Sequence, residues 1–123
     1  MKINKFFLFC GAISGALTIA IGSFGAHGLK GVLNPTMMDT FQTGVEYQGL
    51  HSLALLITGL IMTKNQTSLK LSGWLFIFGI LFFSGGLYVF SLMALGWMHF
   101  LIPLGGTAFL LGWILLAIGV VKK

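Results

Sequence analysis

Residues 43–51, TGVEYQGLH, bring a carboxylate, a phenol, an amide and an imidazole together at the edge of an otherwise apolar run. Tyr47 and His51 stand four apart, so on a helix they share a face. A neutral imidazole beside a phenol can donate and accept hydrogen bonds at once. Ser84 and Tyr88 repeat that spacing, with Ser91 extending the stripe, Gln48 adds an amide, and His27 sits in a glycine-rich segment, GAHGL. Gathered in one place, His27, Tyr47, Gln48, His51, Ser84 and Tyr88 could hold the polar end of a small amphipathic ligand, a lipid or a quinone-like headgroup. The structural alternative is that His51 and Tyr47 hydrogen-bond between helices and fix a bundle, since polar groups in lipid must find partners.

Other chemistries find less to work with. His27, His51 and His99 lie on separate segments without cysteine or carboxylate at ligand spacing, so no metal or haem is expected. No nucleophile with its base, phosphate-cradling loop or carboxylate pair can be found, and neither an enzymatic activity nor a cofactor is assigned. Glu46 reads as a hydrated group at the lip, and Asp39 as a solvated loop charge. Cys10, the only cysteine, reads as a small buried apolar residue and cannot form an intrachain disulfide. The net charge of +5 comes from seven lysines scattered near the ends of apolar runs, which is not the basic stripe that nucleic acid requires.

The elements that must position these groups follow from composition. With 57% hydrophobic residues, 7% charged residues and a mean hydropathy of +1.01, the chain belongs to the membrane class. Each crossing takes about 20 residues, so 123 residues hold four. The expected fold is an all-α four-transmembrane-helix bundle forming a single domain, 1–123, with spans near 6–26, 44–62, 71–93 and 101–121. The first run is too long for the apolar core of a signal peptide. Asn34 before Pro35 marks a helix start. From there we expect a short interfacial helix in the first extracytoplasmic connection, bending or breaking near Gly44. Pro103 is expected in the first turn of the fourth span, where it costs no intrahelical bond.

Small residues recur along the first span as Gly11, Gly15, Gly22 and Gly25, and along the fourth as Gly105, Gly106 and Gly112. Such stripes let a neighbouring backbone approach closely, within the bundle or between copies in a homo-oligomer. Lys2, Lys5, Lys64, Lys70, Lys122 and Lys123 collect on one side of a four-span chain against Lys30 on the other, which places the N and C termini in the cytoplasm. The helix rise puts His51 and Ser84 about 3–4 Å outward of the midplane, and Tyr47, Tyr88 and Gly105 about 9–10 Å. The outer half is therefore the polar half, and the inner half is aliphatic and Phe-rich.

The segments GSFGAHGL (22–29), YQGLHSLALL (47–56), GWL (73–75), FFSGGLY (82–88), PLGG (103–106) and GW (112–113) resemble, in order and over essentially the whole chain, the small bacterial inner-membrane family typified by YgdD and YwdK. That resemblance implies four helices in the bacterial cytoplasmic membrane and no assigned activity. It also implies that Gly86 replaces a usual Ser, Ile102 a usual Thr, and Glu46 a different and frequently basic residue. Only His27, Tyr47, Gln48, His51, Ser84 and Tyr88 match the family pattern and carry over.

Three functional readings stay open. A ligand-binding or accessory protein needs an outer-leaflet pocket near Tyr47 and Tyr88, with membrane lipids as partners. An oligomeric channel or transporter needs Gly11, Gly15 and Gly22 between subunits and a polar path running inward past His51. An assembly factor needs a docking surface in the connection 29–42. We favour the first.

Overall fold

The computed structural model describes residues 4–62 and 66–122. Lys2, Lys64 and Lys123 of the charge pattern lie outside the described residues. Among the described residues the chain is helical throughout its regular structure: α1 Lys5–Gly28, α2 Pro35–Ile61, α3 Thr67–Met93 and α4 Met98–Lys122. By length and composition α1, α3 and α4 are apolar enough to cross a membrane. α2 falls outside that class because it carries most of the polar groups discussed above.

Local chemistry sets the boundaries. The Asn4 side chain accepts from the Phe7 amide at 3.0 Å and caps α1, while Asn34 accepts from the Met37 amide at 2.8 Å and caps α2, with Pro35 opening that helix. α3 stops where Ala94 turns left-handed, φ 53°, and its amide closes onto the Phe90 carbonyl at 2.7 Å.

Two expectations are corrected here. The helix from Pro35 does not break near Gly44. It runs on to Ile61, about 40 Å at 1.5 Å per residue. Gly44 is no hinge, because the Tyr88 ring lies where its side chain would stand, 2.7 Å from an added Cβ. α4 begins at Met98, earlier than expected, so Pro103 lies inside the helix and supplies no N–H to the His99 carbonyl one turn back.

The helices pack by seating rings on glycines. Phe41 of α2 covers Gly25 of α1, Phe7 of α1 covers Gly73 of α3, and Phe109 of α4 covers Gly79 of α3. Phe76 of α3 covers Gly112 of α4 in return. Where lipid supplies no hydrophobic drive between helices, this close contact supplies the dispersion attraction that does. Gly105 goes further and lies against the backbone of Phe82 and Phe83, which has no means of yielding. Gly11 and Gly22 meet Leu56 and Val45 of α2, and Gly106 meets the Phe83 ring at 3.5 Å. Gly15 differs, since an added Cβ there meets nothing within 4 Å.

These contacts fix the topology. The Asn4 amide donates to the Gly59 carbonyl at 2.9 Å, so α1 and α2 are antiparallel. Gly119 lies against Leu69, and Phe7 against Gly73. The start of α1, the end of α2, the start of α3 and the end of α4 therefore share one end of the bundle. That end holds the apolar core of Phe7, Leu55, Met62, Leu69, Phe76 and Leu116.

α3 is continuous but not uniform. Residues Ile80–Ser84 form a π segment between the α-helical stretches Thr67–Gly79 and Gly85–Met93. Its buried positions run Leu69, Ser72, Gly73, Phe76, Gly79, Ser84, Gly86 and Ser91. The five-residue step from Gly79 to Ser84 breaks the three-and-four spacing of an α-helix, and the wider turn absorbs it.

Candidate functional site

The polar residues of α2 divide between two of its faces. Gln48 is 4% exposed, and its carboxamide is held between α1 and α3. Its Nε2 donates to the Ser14 carbonyl at 3.1 Å and reaches Ser14 Oγ at 3.3 Å, while the Tyr88 hydroxyl donates to Gln48 Oε1 at 2.6 Å. The amide cannot be turned round, because the Ser14 carbonyl accepts only and must face the NH2 group. Ser52, one turn along α2, completes the cluster, with Oγ 2.6 Å from both Ser14 Oγ and the Gln48 carbonyl. Tyr88 is held in turn by the Phe41 ring, centroids 5.1 Å apart, and by Gly44 beneath it.

His51 faces the other way, toward α4. Its Nδ1 lies 2.7 Å from the Tyr47 carbonyl, and the Trp113 indole N–H donates to its Nε2 at 3.0 Å. A carbonyl accepts only and an indole donates only, so the imidazole is the neutral Nδ1–H tautomer with both nitrogens engaged. The ring stacks on Phe109 with centroids 3.5 Å apart, and Phe76 and Trp113 close its sides. His51 is 2% exposed. Both ring nitrogens are engaged, and the ring bridges α2 to α4.

The six residues expected together therefore do not form one pocket. Gln48 and Tyr88 meet in the first cluster, and His51 lies in the second. Tyr47 is 41% exposed. It joins His51 through its carbonyl and by ring stacking at 6.0 Å, not through its hydroxyl. One position N-terminal to Gln48, it cannot share the buried face and leans outward against Phe83, centroids 4.9 Å apart. Ser84 is fully buried in the π segment, and its Oγ has no hydrogen-bond partner among the described residues. His27 is exposed in the last turn of α1. The residues that the spacing did not single out are Ser14, Ser52 and Trp113. Gln48 and Ser52 at four-residue spacing were the available signal for the first two; nothing in the spacing points to Trp113.

A groove of about 320 Å³ opens between α1 and α3 with α2 as its floor. Ile13 and Leu17 wall one side, Ile77 and Leu81 the other, and Cys10 lies along it. Ser14, Gln48 and Tyr88 also line it, so the first cluster is the polar floor of an apolar groove. His51, Tyr47, Ser84 and His27 do not line it.

A bundle this small, with its polar groups joined across helices and lipid-like side chains outward, matches a known family model. Residues 21–106 fit the family described as "Protein of unknown function (DUF423)". The chain is 38% identical over 118 residues to a UPF0382 membrane protein of Staphylococcus epidermidis, covering 96% of this chain and 97% of the relative. The chain belongs to this family. Among other DUF423 relatives, UPF0382 membrane protein YwdK of Bacillus subtilis is 37% identical over 96% of this chain and 98% of its own length. UPF0382 inner membrane protein YgdD of Escherichia coli is 38% identical over 97% of this chain and 92% of its own. No solved structure matches the chain. In this DUF423 chain Gly86 and Ile102, two of the three positions at which the resemblance implied a departure, face each other: a Cβ at Gly86 would stand 2.8 Å from Ile102 Cγ1. The Ile102 side chain takes up the space that Gly86 leaves between α3 and α4.

Proposed function

We propose that this chain is an integral protein of the bacterial cytoplasmic membrane that holds a small amphipathic molecule in the α1–α3 groove, polar end on Gln48 and Tyr88. We further propose that all four helices span, with both termini cytoplasmic. Relatives named as membrane and inner membrane proteins support the location. Support for α2 as a span comes from its pairing with α1 along its length, from Gly59 beside Asn4 to Phe41 on Gly25. Its Gln48 amide, His51 imidazole and Ser52 hydroxyl point at other helices, as polar groups in lipid must. Lys5, Lys70 and Lys122 belong to one end of the bundle and Lys30 to the other, which is the positive-inside arrangement.

The observation that carries the ligand reading is the polar row of Ser14, Gln48 and Tyr88 at the floor of a groove whose walls are aliphatic. Ligand pockets are mostly apolar with a few fixed polar groups, and about 300–1,000 Å³ is their usual range. At the small end of that range, the groove suits one ring or one chain better than a two-chain lipid. The channel reading has weaker support, because Gly11 and Gly22 are already occupied within the chain and the floor gives way to Leu55 and Phe7 toward the lysine-rich end.

The test is native mass spectrometry of gently purified protein, with melting followed in parallel. Wild type should carry a lipid-like adduct that Ile13→Trp, which fills the groove without touching the polar row, removes. An adduct-free wild type with melting unchanged by added amphiphile would refute the reading.

A further inference from the structure

The hydrogens of the polar floor can be counted, and the count restricts what the groove can hold. Gln48 Oε1 faces Tyr88, so Tyr88 must spend its only hydrogen on Gln48. Gln48 Nε2 lies within reach of both the Ser14 carbonyl, 3.1 Å, and the Ser14 hydroxyl oxygen, 3.3 Å, and we assign one of its two hydrogens to each. Ser52 Oγ lies 2.6 Å from both Ser14 Oγ and the Gln48 carbonyl, and the two serines bring one hydrogen each. The carbonyl brings none, so the assignment that fills both contacts sends the Ser52 hydrogen to the Gln48 carbonyl and the Ser14 hydrogen to Ser52. Every donor in the cluster is then used internally. What remains are lone pairs, on Tyr88 Oη and Gln48 Oε1.

From this balance we propose that the groove selects an amphiphile whose polar end is a hydroxyl, a lipid alcohol or a phenol, over one that ends in a carbonyl or an ether. The inference rests on the ligand reading above and sharpens it. A hydroxyl donates into the free lone pairs of Tyr88 or Gln48. A carbonyl or ether oxygen brought to the same place sets acceptor against acceptor, or must break a bond of the cluster to find a hydrogen. The apolar walls make that mismatch matter, since no water competes for the acceptors in a hydrocarbon-lined groove.

The probes are 4-decylphenol and 4-decylanisole, which differ by one methyl group on the oxygen, titrated against the full chain in lipid nanodiscs. Occupancy by native mass spectrometry and the rise in melting temperature are the readouts. Wild type should bind the phenol at least about fivefold more tightly, the worth of one net hydrogen bond. Gln48→Leu releases the Tyr88 hydrogen to serve as a donor, and the preference should collapse. Should that variant fail to fold, Ser14→Ala frees a Gln48 N–H to the same effect, and the wild-type comparison decides on its own. Equal affinity of wild type for both probes overturns the selection and leaves the groove reading standing. Binding of neither probe, or binding that Ile13→Trp does not disturb, overturns both.

Discussion

His51 shows how a residue with chemical potential can be consumed by structure. Each ring nitrogen already has a partner of fixed character, and protonation would set its second N–H against the indole N–H of Trp113. Trp113→Phe keeps most of the ring surface and removes the donor, leaving Nε2 buried and unpaired. An orphaned acceptor costs about 1–3 kcal/mol in water-soluble proteins, whereas interhelical bonds in membranes average about 0.6 kcal/mol. Here the acceptor is boxed by Phe76 and Phe109, with no alternative partner, so a destabilisation nearer the upper figure is expected in denaturant titration of the detergent-solubilised protein. The same measurement on Tyr47→Phe should show almost no change, because Tyr47 meets His51 through its carbonyl and its ring, both of which Phe keeps. The inward setting of His51 and Gln48 was legible from their types, since polar side chains in an apolar run must turn from lipid. Trp113 was not: an indole on an apolar helix reads as lipid-facing, and no local spacing links residues that lie 62 apart.

At the scale of elements, the cap at Asn34, the glycine-lined contacts and the antiparallel order could be read from the chain, whereas the cap at Asn4 emerged only with the fold. The extra residue in α3 could not, because Ile80–Ser84 has no composition that marks a wide turn; only the phase of the buried positions on either side reveals it. The continuity of α2 was missed for a related reason. Gly44 reads locally as a place to bend, and it takes the Tyr88 ring, 44 residues on in another helix, to show that it is a place to pack. The pairing of Gly86 with Ile102 gives this level a direct test. Gly86→Ser pushes a side chain into Ile102 and should cost about 1–3 kcal/mol, the usual range for overpacking. Adding Ile102→Thr makes room and offers a hydroxyl partner, so the double variant should regain most of that loss. A thermal-denaturation double-mutant cycle reads the coupling as non-additivity, and strictly additive losses would deny that the two positions share one space.

For the whole molecule, the end that gathers the start of α1 and the end of α4 also carries the described lysines Lys5, Lys70 and Lys122. A fluorescent protein fused after residue 122 should therefore mature in the cytoplasm, and alkaline phosphatase inserted at Gly31, in the turn between α1 and α2, should be active outside it. A dark C-terminal fusion together with an inactive phosphatase at Gly31 would invert the proposed orientation. The two halves of the bundle divide the work between them. Near the lysines the interior is mostly rings, Leu and Met packed on glycine, with the Ser72 hydroxyl closing onto the Gly112 carbonyl; farther out the Gln48 amide, the Tyr88 and Ser52 hydroxyls and the His51 imidazole are joined across helices.

Ser14 has a bearing on how such a chain is made. α2 is the least apolar of the four helices, and much of what makes it so is answered by one serine on α1: the Gln48 amide and the Ser52 hydroxyl both close onto it. During synthesis α1 leaves the ribosome first. When Gln48 and Ser52 emerge, their partner is already in place, and the two helices can leave the insertion machinery as a hairpin whose polar seam is sealed before lipid reaches it.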